Sequence, residues 1–521
     1  MSQAKNSILK SSMKMGSATL LSRVFGLVRE QVMAALFGAS NLTDAFLVAY
    51  RIPNLLRDLF AEGAFSSAFV PTFTSARLKD HMLAQKLLWS LFIILFAITG
   101  GISLFMIYFA SELVTIFAPT FVNDPEKFQI TVTLTQIMSP FLALVSISAL
   151  FVGALNSLKI FFIPALAPAV FYIVSIICAL VFPDLLLKWG YHPIYALGIG
   201  VTVGGIAQGV IQLPKILEVK YGPTKEAISR DSLVSPQTKE VMYKLGPGLL
   251  GFAAAQINML ISTILASSTV VGAVSWLSYS FRLFQFPVGI LGVSIANANM
   301  VHFSEEWQKS NKEAAKKTLK DSYNLSLITI FPMMIIMYFL ATPIVNLIFQ
   351  RGKFNAFDTE MTTLALRLYA IGLPFYGINK ILVPCFYVFN RQKIPVISSI
   401  SAIIFNIIFS ILLVPKFGFS VLALGTSLSV FISTLIQSYS LNRQLELGWN
   451  FFIDIKIGKM VFSSLITSLF LIFYKTYFCD LNVGFFIKIF QIGVGSGVAL
   501  LIYIGTLHTL GEKLKKTQTK G

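Results

Sequence analysis

The stretch LLWSLFIILFAITGGISLFMIYFAS, Leu87 to Ser111, contains no charged residue. As a helix rising 1.5 Å per residue it is long enough to cross a hydrocarbon core of about 30 Å. Asn324 to Phe349 is a second run of the same kind. A membrane barrel would instead show segments of about ten residues with alternating polarity. These runs are continuous, so the sequence predicts an all-α polytopic membrane protein. Composition agrees: 55% of the 521 residues are apolar and 12% are charged, against roughly 25% charged in soluble domains. Mean hydropathy is +0.76.

Working outward, about fourteen transmembrane helices are expected. Twelve fall at 7–36, 43–76, 87–116, 129–158, 163–182 and 191–213, then 238–265, 272–303, 318–349, 357–388, 395–414 and 419–441; a final pair falls at 457–476 and 484–510. This gives an N-lobe over 1–215, a cytoplasmic linker over 216–237, a C-lobe over 238–443, and a C-terminal pair with a basic tail over 444–521. Lys5, Lys10 and Lys14 followed by an apolar stretch imitate a signal peptide, but Arg23 and Arg29 interrupt it, so a retained first helix is expected. Of the 41 Lys and Arg, 27 lie in or beside the two tails and the even-numbered loops. That bias places both termini in the cytoplasm. It also accounts for the net charge of +18 through anionic-lipid contact, without a nucleic-acid partner.

A weak internal repeat supports two six-helix lobes related by a pseudo-two-fold axis. Tyr50-Arg51-Ile52 matches Phe281-Arg282-Leu283 at an offset of 231, Asn156 and Lys159 match Asn390 and Lys393 at 234, and Ala196-Leu197-Gly198 matches Ala423-Leu424-Gly425 at 227. Cys178, Cys385 and Cys479 are scattered, and His81, His192, His302 and His508 lack metal-ligand spacing, so neither a disulfide framework nor a metal site is expected. No nucleotide loop, nucleophile elbow or zinc-protease helix occurs, which leaves no support for an ATP-driven pump or a hydrolase.

The first two predicted spans hold Arg23, Arg29, Glu30, Asp44, Arg51, Arg57, Asp58 and Glu62 in otherwise apolar sequence. Each such charge costs at least about 2.5 to 3.5 kcal/mol at mid-membrane, so these side chains should meet water, a partner or a ligand. Arginine to carboxylate pairs between helices are one explanation, since four charges of each sign are present. Arg282 and Lys380 add positive charge without nearby acids in sequence, which favours an anion. A diphosphate suits arginine, whose planar fork gives paired hydrogen bonds and stays charged when desolvated. Gly26 and Pro53 lie beside these charges and mark expected helix breaks or close packing.

The run Ser22-Arg23-Val24-Phe25-Gly26-Leu27-Val28-Arg29-Glu30, then Phe37-Gly38-Ala39, Thr43-Asp44-Ala45-Phe46, Pro53-Asn54-Leu55-Leu56-Arg57 and Phe60-Ala61-Glu62-Gly63-Ala64-Phe65 resembles the signature of the MurJ (MviN) family of bacterial lipid II flippases. Ser275-Trp276, Arg282 with Phe286-Pro287 and Gly289, and Gly352-Lys353-Phe354 resemble later family segments. Asp58 departs from the pattern, where a second basic residue is expected after Arg57, and Glu30 replaces an Asp.

The resemblance implies the multidrug/oligosaccharidyl-lipid/polysaccharide exporter fold, with the last two helices forming a groove for the lipid tail, and no covalent chemistry. It assigns substrate binding to Arg23, Arg29, Arg57 and Arg282, with Ser22, Gly26, Asp44, Pro53, Asn54, Glu62 and Lys380 supporting or gating. Lipid II and membrane lipids are the expected partners, together with cell-wall synthesis proteins. No cofactor is expected beyond coupling to membrane potential or a monovalent cation, and the location is the inner membrane. A flippase for another undecaprenyl-diphosphate-linked oligosaccharide, or a drug/cation antiporter of the same fold, are the alternatives.

Overall fold

The computed structural model describes residues 2–60, 64–289 and 293–512, and all regular structure among them is helical. In chain order the helices are α1 (Ser2–Phe37), α2 (Asn41–Phe60), α3 (Ala64–Lys79), α4 (His81–Tyr108), α5 (Ala110–Phe117), α6 (Pro125–Met138), α7 (Phe141–Ser157), α8 (Phe162–Lys188), α9 (Tyr195–Val210), α10 (Leu213–Glu218), α11 (Arg230–Leu233) and α12 (Pro236–Ser267). There follow α13 (Ala273–Pro287), α14 (Val293–Gln308), α15 (Lys312–Phe339), α16 (Ala341–Phe349), α17 (Ala356–Ala370), α18 (Leu373–Val388), α19 (Lys393–Phe417), α20 (Ser420–Leu445), α21 (Ile455–Phe478) and α22 (Phe485–Thr509).

Every expected span is built by one helix or by two in succession. By length and apolarity, however, nine spans among the described residues qualify to cross a membrane alone, and ten with the bent pair α17 and α18, so the count of fourteen is not reached. The other four, spans one, two, seven and eight, are the first two of each half.

The breaks are not where the sequence suggested. α1 runs through Gly26 and α2 runs through Pro53 without interruption. A proline inside a helix removes one hydrogen bond, and membrane helices tolerate that loss. Span three instead divides at Phe109 and span nine at Leu340, while span four divides at Ser139-Pro140 and span ten, with a 43° bend, at Ile371-Gly372.

These positions recur 231 or 232 residues apart, so the repeat is written in the backbone. Left-handed residues recur too: Gly38 with Gly272, Lys159 with Asn390, and Gly190 with Gly418. Side-chain bonds follow suit. Thr202 donates to the Ile137 carbonyl at 2.6 Å and Ser427 to the Leu368 carbonyl at 2.8 Å. These pairs correct two of the sequence matches: Lys159 corresponds to Asn390, not Lys393, and Thr202 to Ser427 gives an offset of 225 in α9 and α20, not 227. Short apolar matches slide along a helix, whereas caps and hydrogen bonds fix the register.

The chain divides into two compact units, 1–275 and 276–521. In the first, α8 packs on α1 and α9, and α12 packs on α2, α3, α4 and α5. Its core joins Phe65, Phe69, Phe73, Trp89 and Phe151 to Tyr221 of the following loop. Trp89 Nε1 and Gln85 Nε2 bind the Tyr221 and Gly222 carbonyls at 2.8 and 2.6 Å. In the second unit α15 packs against α14, α18 and α21. There Lys320 pairs with Asp454 at 2.7 Å and fastens the start of α21.

Candidate functional site

The first unit gathers its polar residues on α1 and α2. One face of α1 carries Ser22, Gly26 and Arg29, at the i, i+4, i+7 spacing that stacks side chains along a helix. All three are buried. A Cβ on Gly26 would lie 3.2 Å from the Tyr172 ring of α8, so this glycine serves close packing and not a break.

Arg29 is 6% exposed. Its guanidinium carbon lies 5.3 Å from the ring centre of Tyr50, 5.7 Å from Phe171 and 5.8 Å from Phe46. Phe46 and Tyr50 come from α2 and are stacked on each other, 5.9 Å apart. The same stripe of α2 continues through Asn54 to Arg57, both half-buried, and Pro53 is buried beside it.

No carboxylate pairs with Arg29 or with the exposed Arg23 among the described residues. Helix-to-helix ion pairing, the plain explanation of intramembrane arginines, therefore does not account for these two. A buried guanidinium without an acceptor is costly, and ring faces return only about 2 kcal/mol. Asn54 Oδ1 is also buried without a hydrogen-bond partner among the described residues. The region thus combines the unpaired charge and donors of Arg29 with a free acceptor at Asn54 Oδ1, among the described residues.

Asp44 has a different occupation. It is 2% exposed and accepts from Gly272 N at 2.7 Å, Ser275 N at 3.0 Å and Ser275 Oγ at 2.6 Å. Lys127 Nζ lies 3.9 Å away, bonded to Asn41 Oδ1 at 2.9 Å and set over the Phe121 ring. Asp44 is therefore a structural latch between α2, α6 and the Gly272–Ser275 turn. Lys127 was missed in the sequence, although its place three residues after the helix-starting Asp124-Pro125 was a signal. Arg51, to which the family resemblance gave no role, donates through its Nη1 to Thr263 Oγ1 of α12 at 2.6 Å.

In the second unit Arg282, on α13, and Lys380, on α18, are exposed. Lys380 has no ion pair among the described residues. Glu62 lies outside the described residues.

With a polytopic fold and a buried arginine that no carboxylate meets among the described residues in place, comparison with known proteins becomes decisive. Residues 33–491 match the family described as Lipid II flippase MurJ. The chain belongs to the lipid II flippase MurJ family.

Among the curated members, "Probable lipid II flippase MurJ" of Buchnera aphidicola subsp. Acyrthosiphon pisum is 32% identical over 522 residues, covering 97% of this chain and 98% of its own. "Lipid II flippase MurJ" of Burkholderia cenocepacia is 35% identical over 453 residues, covering 86% and 87%. A solved structure, "Lipid II flippase MurJ, inward closed conformation", superposes with a TM-score of 0.77 at 27% identity over 95% of this chain and 98% of that one. An inward-facing multidrug resistance MATE family transporter of the MOP superfamily reaches 0.66 at 10% identity, over 83% of this chain and 98% of that one, and shows the shared fold alone. This MurJ family member is thus a multi-pass membrane protein of the transporter fold.

Proposed function

We propose that the chain flips lipid II, the undecaprenyl-diphosphate-linked peptidoglycan precursor, from the cytoplasmic to the periplasmic leaflet by alternating access. The observation that carries this reading is Arg29, buried, walled by three aromatic rings and unmatched by any carboxylate among the described residues. A diphosphate supplies the acceptors it lacks. Arg23, Arg57 and Arg282 add charge for the headgroup, and Asn54 an acceptor for sugar or peptide donors. A cation antiporter would centre on a free acid, whereas Asp44 is saturated by three donors. The family membership, the flippase names of the relatives and the fold all support the reading. No covalent step is required.

Arg29→Ala, Arg57→Ala and Arg282→Ala should each abolish support of growth while the protein still reaches the membrane. Lysine at these positions should rescue in part, since it keeps charge but loses the planar fork. Arg51→Ala, which removes a bond to Thr263, should do milder damage. Full complementation by all three alanine variants would refute the diphosphate reading, and so would depletion of the protein without lipid II accumulating on the cytoplasmic leaflet.

The direction rests on cytoplasmic termini, supported by the Lys/Arg distribution. With the native cysteines replaced, a cysteine at Asn41 should be labelled by an impermeant thiol reagent from outside and one at Lys225 should not; the reverse pattern would invert the direction.

A further inference from the structure

Two cations in the second unit have no part in the reading above. Arg367 of α17 is half-buried; its Nε donates to the Tyr338 carbonyl at 3.2 Å and its Nη2 to Thr342 Oγ1 at 3.3 Å, with the guanidinium 5.9 Å from the Tyr338 ring centre. Lys475 is half-buried in the last turn of α21, a helix that packs on α15. Ile335, Ile336 and Leu340 share one buried cluster with Leu471, and Phe339 and Cys479 pack against it, so Arg367, held at Tyr338, and Lys475 stand at the same level of the bundle. Neither forms an ion pair among the described residues. Asp480, the nearest acid following Lys475 in sequence, accepts instead from Asn482 N at 2.8 Å. Two like charges brought together at partial burial repel each other, and the arrangement calls for an anion.

The repeat shows that the charge at 367 is not structural. In the first unit the same bond is made by a neutral amide: Gln136 Nε2 donates to the Ile107 carbonyl at 3.3 Å. Gln136 precedes Arg367 by 231 residues, as Ile107 precedes Tyr338. The second unit therefore satisfies this backbone position with a residue that brings surplus charge, and α21, which has no counterpart in the repeat, brings a second.

Tyr338 lies in the last turn of α15, and Lys475 in the last turn of α21 together with the exposed Tyr477 and Phe478. Such tyrosines mark the headgroup level of a bilayer. Along α21 toward the membrane interior, Phe473, Ile472 and Leu469 are exposed and offer an apolar path for a chain.

We propose that Arg367 and Lys475 bind the phosphate of an anionic lipid at the end of α21, Arg367 by paired hydrogen bonds and Lys475 as a point charge. The phosphate comes either from a bulk phospholipid or from a lipid-linked diphosphate; the chemistry is shared. This site stands whether or not the chain transports lipid II, because lipid retention by purified protein needs no transport.

The test is native mass spectrometry of the full chain with phosphatidylglycerol, phosphatidylcholine or undecaprenyl diphosphate added. Arg367→Gln keeps the bond to Tyr338 in the manner of Gln136, and Lys475→Gln breaks no hydrogen bond shown here. Each should lower occupancy of a phosphate-charged lipid about fivefold relative to phosphatidylcholine, and the pair should act together. Loss confined to undecaprenyl diphosphate identifies the headgroup of a carried lipid; loss of phosphatidylglycerol, alone or with it, identifies bulk anionic lipid. Unchanged occupancy of both overturns the proposal. Should the double variant unfold, Lys475→Gln alone decides on the same criterion.

Discussion

The joint between α2 and α6 and the joint between α13 and α17 occupy the same place in the repeat, yet they are held by different chemistry. In the first, Asp44 and Lys127 form a buried ion pair, and Asp44 also takes three donors from the Gly272–Ser275 turn. In the second, the corresponding residues are Trp276 and Asp358, and the indole Nε1 donates to the carboxylate at 3.1 Å. The helix caps beside them match. Asp124 accepts from Lys127 N at 3.1 Å, and Asn355 accepts from Asp358 N at 2.9 Å. Duplication has thus kept the geometry while the charges were rewritten. The second joint is closed on itself, whereas the first reaches to residues beyond the seventh span.

The sharpest way to break this comparison is to neutralise both acids. Asp44→Asn leaves Lys127 buried without its charge partner and weakens three hydrogen bonds, which should cost about 3 to 5 kcal/mol. Asp358→Asn keeps an acceptor for the indole and should cost about 1 kcal/mol. Thermal unfolding of the purified variants would show Asp44→Asn far below Asp358→Asn; equal shifts would mean that the ion pair contributes nothing special. Adding Lys127→Gln to Asp44→Asn should recover part of the loss, because the unpaired buried charge is then gone.

A smaller effect should follow from moving one residue between halves. At the register set by Thr202 and Ser427, Gly204 corresponds to Ser429, which is buried at 8% exposure. A Cβ on Gly204 would come within 2.9 Å of the Phe171 carbonyl oxygen, so Gly204→Ser should force α8 and α9 apart at about 1 to 3 kcal/mol. Because Phe171 is one of the three rings around Arg29, growth support should fall as well. A Gly204→Ser protein as stable as the parent would mean that the two halves share their packing as closely as their hydrogen bonds.

Hydropathy made the lipid-facing spans legible because a helix that faces lipid must be apolar along its length. It could not show the split at Phe109, where no proline or glycine marks the chain, although Pro343 stands just past the split at Leu340. Conversely, Gly26 and Pro53 look like breaks and are not, since close packing against Tyr172 and a single missing hydrogen bond both leave a helix continuous. The arginines of the site were legible as expensive charges. Their surroundings were only half so: Phe46 and Tyr50 stand at helical spacing on α2, but Phe171 comes from a helix more than a hundred residues on. Asp44 had a readable charge and an unreadable role, because its donors lie 228 and 231 residues away.

Lys159 holds a left-handed conformation at φ 63°, where the second half places Asn390 at φ 55°. Asparagine tolerates that region better than lysine, and glycine is at ease there. A lysine at such a turn gives up about 1 to 2 kcal/mol of backbone comfort. What it supplies is charge, which the asparagine of the second half cannot. The loop between the fourth and fifth spans thus carries a cation at the very turn where its counterpart relaxes the backbone.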